Sequence, residues 1–412
     1  MIEWSETHLT VRDTIQRFIQ AEVVPRIKDI EHGGEPPYDV LRKMLSVFGL
    51  RELAAARFAH QINKEKEKSA KREVVTRVEG SRRRGPEAAD DLALQIIPII
   101  ELCRYSPGMV TAMGASMGLT ANAIMNRGTI AQKERWALPL LTLEKVGAWA
   151  ITEPGSGSDA FGAMASVARR DGQGYLLSGS KTFITNGPYA DTIVFICKLD
   201  DGSPPRDRKV LSFVLDRGMP GLTQSKPLRK MGLHGSPTGE LFLDDVSVGK
   251  DRLLGETEEV QSRTSAKDTF ATERTAVAAV ALGIVEQCRA LCIEYAKTRT
   301  QFGKPIGDFQ LIQLKLAKME IARMNIQNLI FRQIELAGAG KSLSFAEASA
   351  CKLYSAQAAM DVALEAVQLF GGNGYMAEYQ VEQLCRDAKV LQIYGGTDEI
   401  QVSQIARSML QQ

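Results

Sequence analysis

Hydrophobic and polar positions divide the chain into three regimes. Up to about residue 145 they follow a helical period, as in "VRDTIQRFIQAEVV", where Val11, Ile15, Phe18 and Val23 share one face. From roughly Gly147 to Glu256, Gly and Pro punctuate short runs: "YLLSGSKTFIT", "DTIVFICKL", "VLSFVLD" and "GELFLDDVSV". These are rich in the β-branched and aromatic residues that pack on a pleated surface, and they predict strands. After Gln261 the helical period returns, with Leu314, Ala317, Ile321 and Met324 spaced by three and four. Ser344 with Glu347 forms a capping box for the next helix, and Gly371 with Gly372 supplies positions tolerant of positive φ that stop it.

That order predicts a multidomain α+β protein. Residues 1–146 form an N-terminal helical domain, 147–258 a middle β domain and 259–412 a C-terminal helical bundle, antiparallel because its long helices are joined by short loops. A doubly wound dinucleotide fold is excluded, since it needs alternating strands and helices. The glycine motifs agree: "GSGSDAFG" lacks the GxGxxG spacing, and neither GxxxxGK[ST] nor HExxH occurs.

Composition narrows the chemistry. The 51 basic and 49 acidic residues nearly cancel, so no overall field argues for nucleic acid or an anionic membrane. Six cysteines, Cys103, Cys197, Cys288, Cys292, Cys351 and Cys385, lie mostly among apolar residues without a CxxC pair, as reduced core cysteines do. Cys288 and Cys292 share a helical face, but no second pair completes a metal site. Four scattered histidines (His8, His32, His60, His234) argue against a zinc or histidine-based hydrolytic centre, so no metal is expected. The N-terminus does not resemble a signal peptide, and apolar runs such as "TAVAAVALGIV" are too short to span a bilayer; a cytoplasmic protein is expected. One stretch, Asn63 to Gly85, is unusually charged. It reads as a solvated helix and loop, with a docking surface, for nucleic acid among other partners, as the alternative.

"WAITEPGSGSDA", Trp149 to Ala160, offers backbone N–H groups and hydroxyls for close approach to an anion or a polar ring edge. Alone it reads as a polar interdomain loop. It is followed in order by "SGSKTFITNG", "KMGLHGSPTGELFLDDVSV", "RTQFGKPI", "QLFGGNGY" and "QIYGGTDEIQ". In these six ordered motifs the chain from about Arg127 onward resembles the acyl-CoA dehydrogenase family of flavoproteins. The resemblance implies a helical N-terminal domain, a β-barrel-like middle domain and a C-terminal four-helix bundle, usually assembled as a tetramer with FAD in each subunit. It also implies an acyl-CoA substrate and reoxidation by an electron-transfer flavoprotein.

Residue by residue, the resemblance assigns flavin contacts to Trp149, Ile151, Thr152, Gly157 and Ser158, with Ser158 also meeting the acyl-CoA. Phe183, Ile184 and Thr185 resemble the strand that lies against the flavin ring. Arg299, Gln301, Phe302, Gln310, Gln368, Gly371 and Gly372 resemble the segments that reach a neighbouring subunit's FAD, which makes the site a property of an oligomer, a homotetramer or a dimer. Thr397 and Glu399 sit where relatives contact FAD or begin the last helix.

The family chemistry removes an α-proton from an acyl thioester while the β-hydrogen leaves as hydride, so it needs a carboxylate beside the α-carbon. Most members carry that glutamate in "YEGT"; here the motif is "YGGT", with Gly395 in its place. Members resembling isovaleryl- and long-chain acyl-CoA dehydrogenases carry it instead on the first helix of the C-terminal region, directly before an arginine. That position here is Glu273, followed by Arg274, in "FATERTAVA". Glu273 reads as a first-turn residue beside an apolar face of Ala276, Val277, Val280 and Ala281, where desolvation raises a carboxyl pKa toward a useful value. Gly395 then leaves space for Glu273 to approach the substrate from another direction, and Arg274 helps to place the substrate. The alternative for Glu273 is a first-turn residue that merely complements the helix dipole or pairs with a cation. A flavin oxidase or monooxygenase, or a non-catalytic FAD- or acyl-CoA-binding subunit, remain competing functions, and the motifs do not choose an acyl chain length.

Overall fold

The computed structural model describes residues 3–70, 85–259 and 263–411, the side chains of 68–70 and 263–273 excepted. Among its described residues the first part holds helices and no strand: α1 (Glu6–Phe18), α2 (Ile27–Glu31), α3 (Tyr38–Val47), α4 (Leu50–Ala70), α5 (Pro86–Cys103), α6 (Pro107–Met113), α7 (Ala121–Arg127), α8 (Ile130–Gln132) and α9 (Leu138–Leu141). Ser5 starts α1 as a capping box, its hydroxyl accepting from the His8 N–H. Ile15, Phe18 and Val23 are buried as their spacing requires, although a π-turn at Ile19–Val23 carries the face onward. The charged stretch continues α4 as far as Ala70; its remainder, 71–84, lies outside the described residues.

Seven strands follow: β1 (Gly147–Ala150), β2 (Val167–Asp171), β3 (Gly174–Thr185), β4 (Thr192–Leu199), β5 (Val210–Asp216), β6 (Leu222–Gln224) and β7 (Thr238–Gly249). They make one mixed sheet in the order β1-β4-β2-β3-β7-β6, with β5 also on β4. The sheet curls as an open half-barrel. Every residue of β4 is buried, because helices or strands cover it on both faces.

The last part holds α10 (Arg263–Thr298), the hairpin β8 (Thr300–Gln301) and β9 (Lys304–Pro305), α11 (Gln310–Gly338), α12 (Phe345–Phe370), α13 (Gln380–Lys389) and α14 (Asp398–Leu410). Ser344 and Glu347 cap α12 reciprocally, and Gly371 ends it at φ 59°; Gly372, unlike the expectation, takes no positive φ.

Two further expectations change. The apolar stretch of α10 extends to Arg274–Thr298, long and apolar enough by length and composition to cross a membrane, because alanines and cysteines prolong "TAVAAVALGIV". Its most apolar window is 67% buried, as the central helix of the bundle against α5, α11 and α12. The spacing of Leu314, Ala317, Ile321 and Met324 does mark a helix, but that face of α11 is exposed. The bundle core takes Met319, Ala322, Ile326 and Ile330 instead.

The loop before β7 locks the three parts together. Arg386 of α13 donates to the Met231 carbonyl at 3.0 Å, and Asp387 accepts from the Leu233 N–H at 2.5 Å. His234 Nδ1 lies 2.7 Å from the Glu31 carbonyl and 3.7 Å from its carboxylate. Burial pushes the Asp387 carboxyl up to about 7, with the Glu31 charge adding to the push, and burial raises Glu31 as well. An acid raised in the native state stabilises it below the unfolded pKa, and that contribution is lost as pH rises through the native value. Stability attributable to Asp387 therefore declines between about pH 4 and pH 7, on the order of a few kcal/mol, and the raised Glu31 carboxyl acts in the same direction. Asp387→Asn, which keeps an acceptor for Leu233, is expected to flatten that slope in urea titrations run at successive pH values. A slope equal to that of the wild type refutes this assignment.

Candidate active site

Three clusters of the expected residues are recognisable. The first lies at the edge of the sheet. Trp149 is half-buried on β1, and Ile151 is buried after it. Glu153 and Ser156 then exchange backbone hydrogen bonds in a tight turn that leaves Gly157 and Ser158 exposed. The turn is fixed from beneath. Lys181 of β3, fully buried, donates to the Ile151 carbonyl at 3.1 Å and the Glu153 carboxylate at 2.7 Å, and Thr182 N–H donates to the Thr152 carbonyl at 3.0 Å. Burial works against the Glu153 charge, but bonds from Lys181, Ser166 and Ala165 together hold its carboxyl below the usual value. Burial lowers the Lys181 ammonium against the pull of Glu153.

Lys181→Met would leave a buried carboxylate without its cation. We expect a loss of about 3 kcal/mol or more in urea unfolding, with weaker FAD retention; a loss under about 1 kcal/mol would mean that the pair is dispensable.

Beside this turn, a register break between Lys181 and Ile184 throws Phe183 out of the β3–β7 ladder. Its φ is 57°, an outlier for a bulky aromatic, and its side chain is 68% exposed. Ile184 turns into the sheet core, leaving only its backbone for a ligand, and Thr185 pairs with Thr238. Asn186 secures the strand end: its Nδ2 donates to Ala112 and Gly147 carbonyls, and its Oδ1 accepts from the Tyr38 hydroxyl.

The second cluster surrounds the "YGGT" loop. Arg274 is buried, donates to Ser349 Oγ at 2.9 Å, lies over the Phe345 ring at 4.2 Å and reaches the Gly395 carbonyl at 3.5 Å. Its guanidinium thus helps to hold the loop. The Glu273 side chain lies outside the described residues. Its backbone position is described: α10 begins at Arg263, ten residues earlier, so Glu273 is not in the first turn. The helix-dipole half of the alternative loses its basis there, while pairing of Glu273 with a cation stays open. Val277, Val280 and Ala281 are buried nearby, whereas Ala276 is exposed. Thr397 is the N-cap of α14, and its side chain makes no capping bond to the backbone N–H groups of the helix. Glu399 is exposed, and the Thr397 side chain together with its own backbone N–H holds its carboxyl below the usual value, which suits a charged first-turn residue and not a base.

The third cluster is at the opposite end of α10. Arg299, Gln301, Phe302, Gln310, Gln368, Gly371 and Gly372 are all exposed. Phe302 takes φ 52° in the hairpin and is 93% exposed. Stacking of Tyr295 on Phe370, centroids 4.0 Å apart, brings the two segments together. The 25 residues of Arg274–Thr298 separate this cluster from the "YGGT" loop by about 37 Å. One bound ligand does not join both ends within one chain.

The structure also shows residues that the sequence analysis missed: Glu153, Lys181, Asn186, Lys352 and Gln401. Lys352 carried a signal, a lone cation in the row of small residues Ala348, Ser355 and Ala359 on α12.

Residues 148–246 match the family model for the acyl-CoA dehydrogenase middle domain, and 263–410 match that for the C-terminal domain. The chain belongs to the acyl-CoA dehydrogenase family. It is 36% identical to an acyl-CoA dehydrogenase of Bacillus subtilis over 98% of both chains. It is 31% identical to the mitochondrial isovaleryl-CoA dehydrogenase of Arabidopsis thaliana over 99% of this chain and 92% of that one. The butyryl-CoA dehydrogenase structure from Megasphaera elsdenii superposes with a TM-score of 0.83, at 32% identity and full coverage of both chains. Family membership makes the protein a flavin-dependent oxidoreductase acting on acyl-CoA, with FAD as cofactor. The residues present fit that group. An outward aromatic on strained backbone adjoins a turn that exposes Gly157 and Ser158, and an exposed guanidinium suits a pyrophosphate.

Proposed function

We propose that the protein oxidises an acyl-CoA to its 2,3-enoyl thioester, with Glu273 as the base that takes the α-proton. The observation that carries this reading is the Arg274–Gly395 contact. It sets the turn of α10 bearing Glu273 against the one loop position where the commoner glutamate is replaced by glycine. Val277 and Val280, one and two turns further along the same helix, are buried, and partial desolvation would suit a carboxylate that must both accept and later release a proton. FAD, when bound, supplies the hydride acceptor for the β-hydrogen. Phe183, Thr185 and the 152–158 turn orient the ring, and the turn's N–H groups and hydroxyls exclude water from that edge. Substrate thus loses one proton to Glu273 and one hydride, and a carbon–carbon double bond forms.

The reading extends to assembly. Arg299, Gln301, Phe302, Gln310, Gln368, Gly371 and Gly372 serve the FAD of a neighbouring copy in a homotetramer, and an electron-transfer flavoprotein reoxidises the cofactor. Support comes from the separation along α10 and from the exposed apolar face of α11.

Anaerobic mixing of the purified holoenzyme with butyryl-, octanoyl- and palmitoyl-CoA in turn tests the reaction. At least one should bleach the flavin within seconds and yield the enoyl product. No bleaching by a wide acyl-CoA panel would leave a non-catalytic subunit, and rapid turnover with oxygen as sole acceptor would replace the dehydrogenase by an oxidase.

A further inference from the structure

Three side chains from three helices converge on two successive carbonyls of the "YGGT" loop. Gln401 of α14 donates through Nε2 to Gly395 O at 3.0 Å and Gly396 O at 2.8 Å. Arg274 of α10 approaches Gly395 O, and Lys352 of α12 donates to Gly396 O at 2.8 Å and lies 3.5 Å from the Asp398 carboxylate. Both carbonyls can turn inward because Gly395 and Gly396 hold φ values of 62° and 92°, the left-handed region that side chains disfavour. The Lys352 side chain is 0% exposed. Burying an ammonium is costly, and an apolar residue of similar length would fill the same space. What Lys352 adds, and packing does not, is a directed bond to the loop.

We propose that Lys352 is a positioning residue for the dehydrogenation, holding the Gly395–Thr397 loop at a fixed distance from the turn of α10 that bears Glu273. The proposal rests on Glu273 as the base. Lys352 touches neither substrate nor flavin; it acts through the Gly396 carbonyl. Asp398, which also accepts from Gln357 and Gln392, balances its charge and anchors the start of α14.

The test compares holoenzymes of wild type, Lys352→Met, the charge-balanced double variant Lys352→Met with Asp398→Asn, and Glu273→Gln. FAD content, thermal stability and the rate of anaerobic flavin bleaching are read with whichever of butyryl-, octanoyl- or palmitoyl-CoA bleaches wild type fastest. Lys352→Met should retain FAD and bleach about 10²-fold more slowly at saturation, the cost of a misplacement near 1 Å. Its half-saturating substrate concentration should stay within about threefold, since ground-state binding is not its task. The double variant should recover thermal stability but not rate, and it carries the test if Lys352→Met alone does not fold. A normal rate per bound flavin in either variant overturns the proposal. Slow Glu273→Gln with normal Lys352 variants rejects Lys352 alone, whereas normal Glu273→Gln rejects the base on which it rests.

Discussion

Glu273→Gln is expected to slow anaerobic flavin bleaching by about 10³-fold while FAD remains bound, within the range that a general base contributes. Glutamine preserves shape and leaves the helix undisturbed, but it does not take a proton from carbon. The two acids nearest the "YGGT" motif in sequence, Asp398 and Glu399, are already engaged. Asp398 lies beside Lys352, Gln357 and Gln392, and Glu399 is an exposed, readily ionised first-turn residue. Neither sits where a partly desolvated carboxylate is needed. The measurement is a stopped-flow trace corrected for flavin content. A variant that bleaches at the wild-type rate removes Glu273 from the chemistry and with it the meaning given to Gly395.

Much of this was legible in the sequence because local periodicity survives folding. The strands around "DTIVFICKL" and "VLSFVLD" pair as β4 and β5, and the Ser344–Glu347 box caps its helix, since both depend on residues close together in the chain. What depends on distant partners was not legible. Glu153 and Lys181 are a buried ion pair joined beneath the Glu153–Ser156 turn, and neither residue's neighbours announce the other. The start of α10 was misjudged because "RTSAKDTFAT" contains no Gly or Pro to stop a helix, so it runs back to Arg263 and carries Glu273 away from the first turn. Period alone also gives a helix without saying which face meets which neighbour. On α11 the row containing Leu314 and Ile321 is apolar, yet the fold of one chain leaves it bare.

That bare row leads to the second large effect. Replacing Ile321 and Met324 together by aspartate is expected to break the assembly into smaller species and to release FAD, although neither residue adjoins the flavin turn of its own chain. Both side chains are exposed in the single chain, so the substitutions cost the isolated fold little. Buried against another copy, each unpaired charge costs about 3 kcal/mol or more, and symmetry repeats the cost at every equivalent contact. The link to FAD follows from the geometry of α10. Its two ends carry different parts of the expected site about 37 Å apart, so a complete site requires the Arg299 and Phe302 end of one copy to meet the sheet edge of another. Light scattering with the ratio of flavin to protein absorbance reads both outcomes at once. If the doubly substituted protein keeps its size and its flavin, the face is bare in the assembly too. If it shrinks but keeps its flavin, each chain holds FAD alone, and the third cluster has no part in the site.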